Sequence, residues 1–179
     1  MITTFILVAI AIVALAFFLA MVRGGGAAVT DVSDLHGRTR PVDLVAFRNL
    51  MDPDEEEYLR AHLPPGEFRV IQRERLRAAL DYVRCVAINA RLLLRLGEAA
   101  RRSEDPQVAE AGQELVNSAL RVRVYTLFVE GKLYAGILMP GMRISSAHIT
   151  DSYEHLTGLL SRLGRLQDPS RAHRMAAIL

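Results

Sequence analysis

The sequence predicts an all-α protein in which one N-terminal transmembrane helix precedes a long antiparallel helical hairpin and a third packed helix, similar to a three-helix bundle. Three observations lead to this prediction. Residues 2–22 carry no charged side chain, two long segments repeat apolar residues at alternating intervals of three and four, and prolines separate those segments. A chain of 179 residues, 51% of them hydrophobic, can hold one buried core in addition to such an anchor.

Residues 1–22 are predicted to form the membrane anchor and to contact the lipid bilayer. The uncharged run from Ile2 to Val22 would be about 31 Å long as a helix, which matches the hydrocarbon core of a bilayer. A cleaved signal peptide is the alternative. Such peptides begin with basic residues and have a shorter apolar run, and this chain has neither property.

Basic residues follow the anchor and none precedes it. The positive-inside rule therefore predicts a single-pass protein of a bacterial inner membrane, with its N-terminus outside and its C-terminal domain in the cytoplasm. Lys132 is the only lysine among 22 basic residues, a bias typical of GC-rich bacterial genomes. The basic residues closest to the anchor are Arg23, Arg38, Arg40 and Arg48.

Residues 23–43 are predicted to be a flexible linker because they contain glycines, polar residues and Pro41. The helical bundle is expected over residues 44–166 and a C-terminal tail over residues 167–179. A short helix is expected to begin near Val42. A second should follow the Asp52-Pro53 signal, which combines an N-cap with a proline at the first helical position.

The hairpin is predicted from two heptad seams of nearly equal length. The first helix should span residues 67–102 and the second residues 106–139, and the short connection between them requires an antiparallel arrangement. The first seam consists of Leu76, Leu80, Val83, Ala87, Ala90 and Leu94. The second consists of Val108, Gly112, Leu115, Ala119, Val122, Thr126 and Val129. The third helix, over residues 146–166, has a seam of Ile149, Tyr153, Leu156, Leu160 and Leu163.

A stripe of arginines accompanies the first seam, and we call it the arginine stripe. Its guanidinium groups could contact an acidic protein partner or anionic lipid headgroups. The alternative is pairing within the protein, since folding of the hairpin would place Arg95 near Glu114. The stripe consists of Arg73, Arg77, Arg84, Arg91, Arg95 and Arg102.

The end of the second hairpin helix is unusually apolar and is predicted either to be buried under neighbouring helices or to face the membrane or a membrane partner. This candidate membrane-proximal patch consists of Leu133, Tyr134, Ile137, Leu138, Met139 and Met142. On the third helix, His148, Asp151 and His155 share one face. They are interpreted as solvated, with metal binding as the alternative.

No catalytic or cofactor-binding motif is present in the sequence, so no cofactor, metal or catalytic residue is assigned and an enzyme is disfavoured. Nucleic-acid binding is not expected because aromatic residues do not alternate with the arginines. The sequence favours a membrane-tethered helical interaction module, a structural or accessory subunit that binds a protein partner or self-associates. The alternative is a membrane-bound enzyme or a ligand or metal sensor with a site in the bundle.

Overall fold

The computed structural model describes residues 29–30, 32–139 and 147–167, together with Ile12, and the side chains of residues 147–149 are not included. The described part of the chain is all-helical and contains no strand, which confirms the all-α part of the predicted fold class. A 3-10 turn at Val32–Leu35 precedes five helices: α1 (Leu44–Leu50), α2 (Pro53–His62), α3 (Pro65–Ala100), α4 (Pro106–Leu138) and α5 (Ala147–Gln167).

The predicted anchor over residues 1–22 lies outside the described residues, apart from Ile12, and so does the tail beyond Gln167. Among the helices of the described residues, none has both the length and the apolar composition that a membrane span requires.

Three of the described helices begin at aspartate caps, and the sequence predicts the one at Asp52. Asp43 caps α1 by accepting a hydrogen bond from the N–H of Ala46 at 2.9 Å. The Asp52 carboxylate accepts a hydrogen bond from the backbone N–H of Asp54 at 3.0 Å, and α2 starts at the intervening proline. At the start of α4, the Asp105 carboxylate accepts from the N–H of Gln107 at 2.8 Å. Each cap provides a partner for a helical N–H that has none within the helix.

Helices α3 and α4 pack along the two predicted seams. Every residue of the second seam is buried, as are those of the first except Ala87, which is half-buried. The helices approach most closely at two glycines: a Cβ atom added to Gly97 would lie 2.9 Å from the carbonyl oxygen of Gly112. The glycines therefore allow the backbones of the hairpin to come into contact near its connecting turn.

Helix α5 packs mainly against α4 and completes the three-helix core. Tyr153, Leu156, Leu160 and Leu163 of its predicted seam are at most 2% exposed. At the surface, Arg162 of α5 forms an ion pair of 2.6 Å with Glu114 of α4.

The core divides into two clusters along the hairpin. The tip cluster lies towards the α3–α4 connection and contains residues of α3 from Val86 to Ala100 together with α5. The base cluster lies at the other end, where Phe47 of α1 packs with α3 residues and with Val129 and Leu133 of α4. Helix α1 therefore covers the base end of the hairpin, which α5 does not reach.

The prediction of a flexible linker over residues 23–43 is wrong for the residues that the structure describes, from Val29 onwards. Val29, Val32 and Leu35 are at most 4% exposed and belong to the tip cluster. The backbone of Arg40 is held by a buried side chain, because its N–H donates to Asn89 Oδ1 at 2.8 Å and its carbonyl accepts from Asn89 Nδ2 at 2.7 Å. The N-terminal segment thus joins the bundle in its tip half.

Candidate interaction surface

The arginine stripe follows α3 as predicted, but its ion pairs are formed within α3. Arg77 pairs with Glu74, Arg84 with Asp81 at 3.2 Å, and Arg95 with Glu98 at 3.2 Å. Pairs of this kind at a helix surface contribute under ~1 kcal/mol each. They stabilise the fold little and leave the arginines accessible from solution.

Two stripe residues also connect α3 to the base end of α4. Arg84 donates from its second terminal nitrogen to the Tyr134 hydroxyl at 2.7 Å. Arg73 donates from Nε to the carbonyl of Ile137 at 3.3 Å. Arg73 and Arg84 therefore form hydrogen bonds between the two helices of the hairpin.

Arg91 and Arg102 differ from the other four members of the stripe. Both side chains are exposed. Among the described residues, neither has a side-chain hydrogen bond or an ion pair. Arg102 lies at the tip, whereas Arg91 lies in the middle of α3 and is the more central candidate for an external ligand.

Arg123 of α4 belongs to the same surface, although the sequence did not single it out. Its side chain is only 4% exposed, and one terminal nitrogen donates to the carbonyl of Ala87 on α3 at 3.3 Å. Ala87 precedes Arg91 by one helical turn, so the Arg123 guanidinium lies between the two helices beside the stripe. The sequence signal that could have identified Arg123 is its position directly after the seam residue Val122.

The charges around Arg123 are mostly of its own sign. Burial, together with nearby Arg91 and Arg95, lowers the pKa of Arg123 to about 10, and Glu130 acts in the opposite direction. A guanidinium with a pKa of about 10 is still protonated at neutral pH. We call Arg91, Arg95 and Arg123 the arginine cluster, because three positive charges meet here in the groove between α3 and α4.

Two acids act on this cluster: Glu98 pairs with Arg95 at 3.2 Å, and the carboxylate of Glu130 acts on Arg123. Burial raises the pKa of the Glu130 carboxyl, and Arg84 and Arg123 counter the increase.

The predicted membrane-proximal patch is smaller than the sequence indicated. Leu133 is fully buried and Ile137 is half-buried, and both pack in the base cluster, so they cannot form a surface patch. Tyr134, Leu138 and Met139 are exposed, whereas Met142 lies outside the described residues. The remaining patch is at the base of the hairpin, far from the tip half at which the N-terminal segment joins.

The histidine face of α5 is only partly described. Asp151 and His155 are exposed, as predicted, and the His148 side chain is not among those described. No group of three or more histidine, cysteine or acidic side chains in the described residues is arranged to hold a metal ion. Cys85, the only cysteine of the chain, is half-buried in α3.

Comparison with known proteins finds no matching family model, no similar curated protein and no similar solved structure.

Proposed function

We propose that the chain is a membrane-tethered interaction module, a structural or accessory subunit of a bacterial membrane assembly, that binds an acidic segment of a partner protein in the α3–α4 groove. The observation that carries this proposal is the arginine cluster. Arg123 is almost fully buried with Arg91 and Arg95 nearby, so positive charge is concentrated along this groove. A carboxylate-bearing partner would neutralise the cluster, and guanidinium groups bind carboxylates through two parallel hydrogen bonds.

The accessibility of Arg91 supports the same interpretation. Because Arg91 is exposed and its neighbour Arg95 is half-buried, a ligand can approach the cluster from solution. Exposed apolar surface lies next to it, since Ile88 is 38% exposed and precedes Arg91 by three residues on the same side of α3. A groove that combines arginines with apolar surface has the composition typical of protein interfaces.

The tether is supported by the sequence. The uncharged run over residues 2–22 is followed by Arg23, and Val29 is the first buried residue among those that the structure describes. The bundle would therefore be held close to the cytoplasmic leaflet. A fluorescent reporter fused to the C-terminus should mature in the cytoplasm, and a periplasmic phosphatase fused there should stay inactive. The reverse result would place the domain outside.

Partner binding can be tested by placing a photo-crosslinking amino acid at Ile88 in the full chain, in native membranes. This position lies among Arg84, Arg91 and Arg95 and leaves all three arginines intact. We expect one crosslinked product with a second protein that disappears when Arg91→Glu is added. The control position is Tyr58 of α2, which is 61% exposed and away from the groove.

Three results would contradict the proposal. Equal crosslinking from both positions would indicate collision rather than binding. Retention of the product in the Arg91→Glu variant would remove the arginine cluster from the interface. A product with twice the mass of the chain would indicate self-association in place of a different partner.

A further inference from the structure

A second exposed surface lies on the side of α4 that faces away from α3. Its residues follow intervals of four, three, four and seven, so they form one line along the helix. We call this line the outer face of α4. It consists of Arg121, Tyr125, Phe128, Lys132 and Met139, all of them exposed.

The outer face is not covered by the described helices. Phe128 is two residues from the seam residue Thr126, which places it about 160° away around the helix and on the opposite side from α3. Its ring is 62% exposed, and Met139 is 63% exposed. Large apolar side chains exposed at regular intervals along one helix line indicate a contact surface.

The chemistry of the outer face favours a lipid surface. It combines two aromatic rings with Arg121 and Lys132, and the only acid of α4 from residue 121 onwards is Glu130, which lies on the groove side. Aromatic side chains are enriched at the boundary between lipid and water, and basic side chains are attracted to anionic headgroups. The arginine stripe is a weaker candidate for this contact because Glu74, Asp81 and Glu98 pair with its arginines.

The length of the N-terminal segment is consistent with such a contact. Residues 23–28 separate the uncharged run from Val29, and at about 3.5 Å per residue they can reach about 20 Å. Val29 belongs to the tip cluster, which also contains Val122 of α4. The Arg121 end of the outer face and the point at which the tether joins therefore belong to the same half of the bundle. Leu138 and Met139 are about 27 Å further along the helix.

We propose that the outer face of α4 rests in the headgroup region of an anionic lipid bilayer, with the rings of Tyr125 and Phe128 at the lipid boundary. The inference rests on the tether of the proposed function, because it is the tether that brings this face to a membrane. Arg123 lies about 160° around the helix from Tyr125. The arginine cluster would therefore face away from the lipid, and the bundle could bind membrane and partner at the same time.

The chain contains no tryptophan, so one introduced tryptophan reports on one position. We would place Phe128→Trp in the full chain, reconstituted in nanodiscs that contain phosphatidylglycerol and brominated lipid. The expected result is a blue-shifted emission and at least a twofold quenching by the brominated lipid. Tyr58→Trp on α2 is the matched control, an exposed aromatic on another element, and it should show neither effect.

A second set of variants tests whether the basic residues of the outer face are needed for lipid contact. Arg121→Glu with Lys132→Glu should reduce the quenching of the tryptophan at position 128 to the level of the control. Nanodiscs of phosphatidylcholine alone should give the same reduction. Quenching that is unchanged by both would overturn the requirement for anionic lipid.

Failure of the inference can be distinguished from failure of the tether. If the chain co-elutes with nanodiscs but the tryptophan at position 128 is quenched no more than the one at position 58, the outer face does not touch lipid and the tether stands. A blue shift that depends on protein concentration and lacks lipid quenching would indicate a second copy of the chain on this face, and would also overturn the inference. A chain that does not co-elute would contradict both.

Discussion

The Asn89 side chain donates from Nδ2 to the Tyr153 hydroxyl at 2.7 Å, and the two residues are 0% and 2% exposed. The same amide forms both hydrogen bonds to the backbone of Arg40. One buried side chain of α3 therefore holds α5 on one side and the N-terminal segment on the other. Because a buried polar group without a partner is costly, this amide specifies how three parts of the chain meet.

Asn89→Leu should destabilise the protein by about 2–3 kcal/mol, because it leaves the buried Tyr153 hydroxyl and the part-buried backbone groups of Arg40 without their partner. Tyr153→Phe removes one hydrogen bond and should cost about 1 kcal/mol. Urea unfolding of the full chain in detergent measures both changes. If Asn89→Leu cost no more than Tyr153→Phe, the contacts with Arg40 would contribute nothing to stability.

The glycine contact between α3 and α4 gives a second prediction. A Cβ atom at Gly112 would lie 2.5 Å from the backbone nitrogen of Arg101, so Gly112→Ala must separate the helices near the tip. We expect a loss of about 1–3 kcal/mol, typical of overpacking in a core. The measurement is thermal unfolding followed by circular dichroism.

Gly131→Ala is the matched control in the same helix. No atom lies within 4 Å of a Cβ atom added at Gly131, and alanine restricts the unfolded chain more than glycine does. This variant should therefore be stabilised by about 0.5–1 kcal/mol. A similar loss in both variants would mean that the effect at Gly112 is not steric.

The three-helix core could be predicted from sequence because its signal is long and regular. In a seam with intervals of three and four, residues such as Leu115 and Val122 share one face of their helix, and both are fully buried. The packing of Val29, Val32 and Leu35 could not be predicted in this way. They recur every three residues, which is the period of a 3-10 helix, but over a stretch too short to distinguish from chance.

The residues of the candidate interaction surface were predicted less completely than the fold. The arginine stripe lies on one helix, and helical spacing alone places its members together. Arg123 lies on another helix, next to a seam position, and the sequence does not reveal whether such a side chain turns into the groove or out to solvent. The choice between the two alternatives for Leu133 could not be made for a related reason, since sequence hydrophobicity does not distinguish a residue of the base cluster from one of an exposed patch.

Glu130 should make the stability of the protein depend on pH. Burial raises the pKa of its carboxyl above the ordinary value of 4.5, so the folded protein holds this proton more tightly than the unfolded chain does. The contribution of Glu130 to stability is then complete below pH 4.5 and is lost as the pH rises through the folded-state pKa. We expect Glu130→Gln to be more stable than the native chain at pH 7 and equally stable near pH 4.

The measurement is urea unfolding of both proteins at several pH values. Glu110→Gln, at an exposed position on the same helix, serves as the control and should differ little from the native chain. A stability difference for Glu130→Gln that is the same at pH 4 and pH 7 would show that charge at this site is not its cause.

Arg123→Met should separate stability from partner binding. The change removes a buried charge that lies near Arg91 and Arg95 and fills the same space with an apolar chain, so we expect the melting temperature to rise. The same variant should lose the crosslink from position 88. A variant that is less stable and still crosslinks would assign Arg123 to folding and remove it from the interface.

The anchor gives the last prediction. A single arginine at the centre of a membrane span raises the cost of insertion by about 2.5–3.5 kcal/mol, so Ile10→Arg combined with Val13→Arg should move the chain from the membrane pellet to the soluble fraction. The control is Val45→Arg with Tyr58→Arg, two exposed positions on the bundle where the same added charge should leave the chain in the pellet. Extraction of the native chain by alkaline carbonate alone would contradict the anchor, because a lipid-spanning helix is not released when only ionic contacts are disrupted.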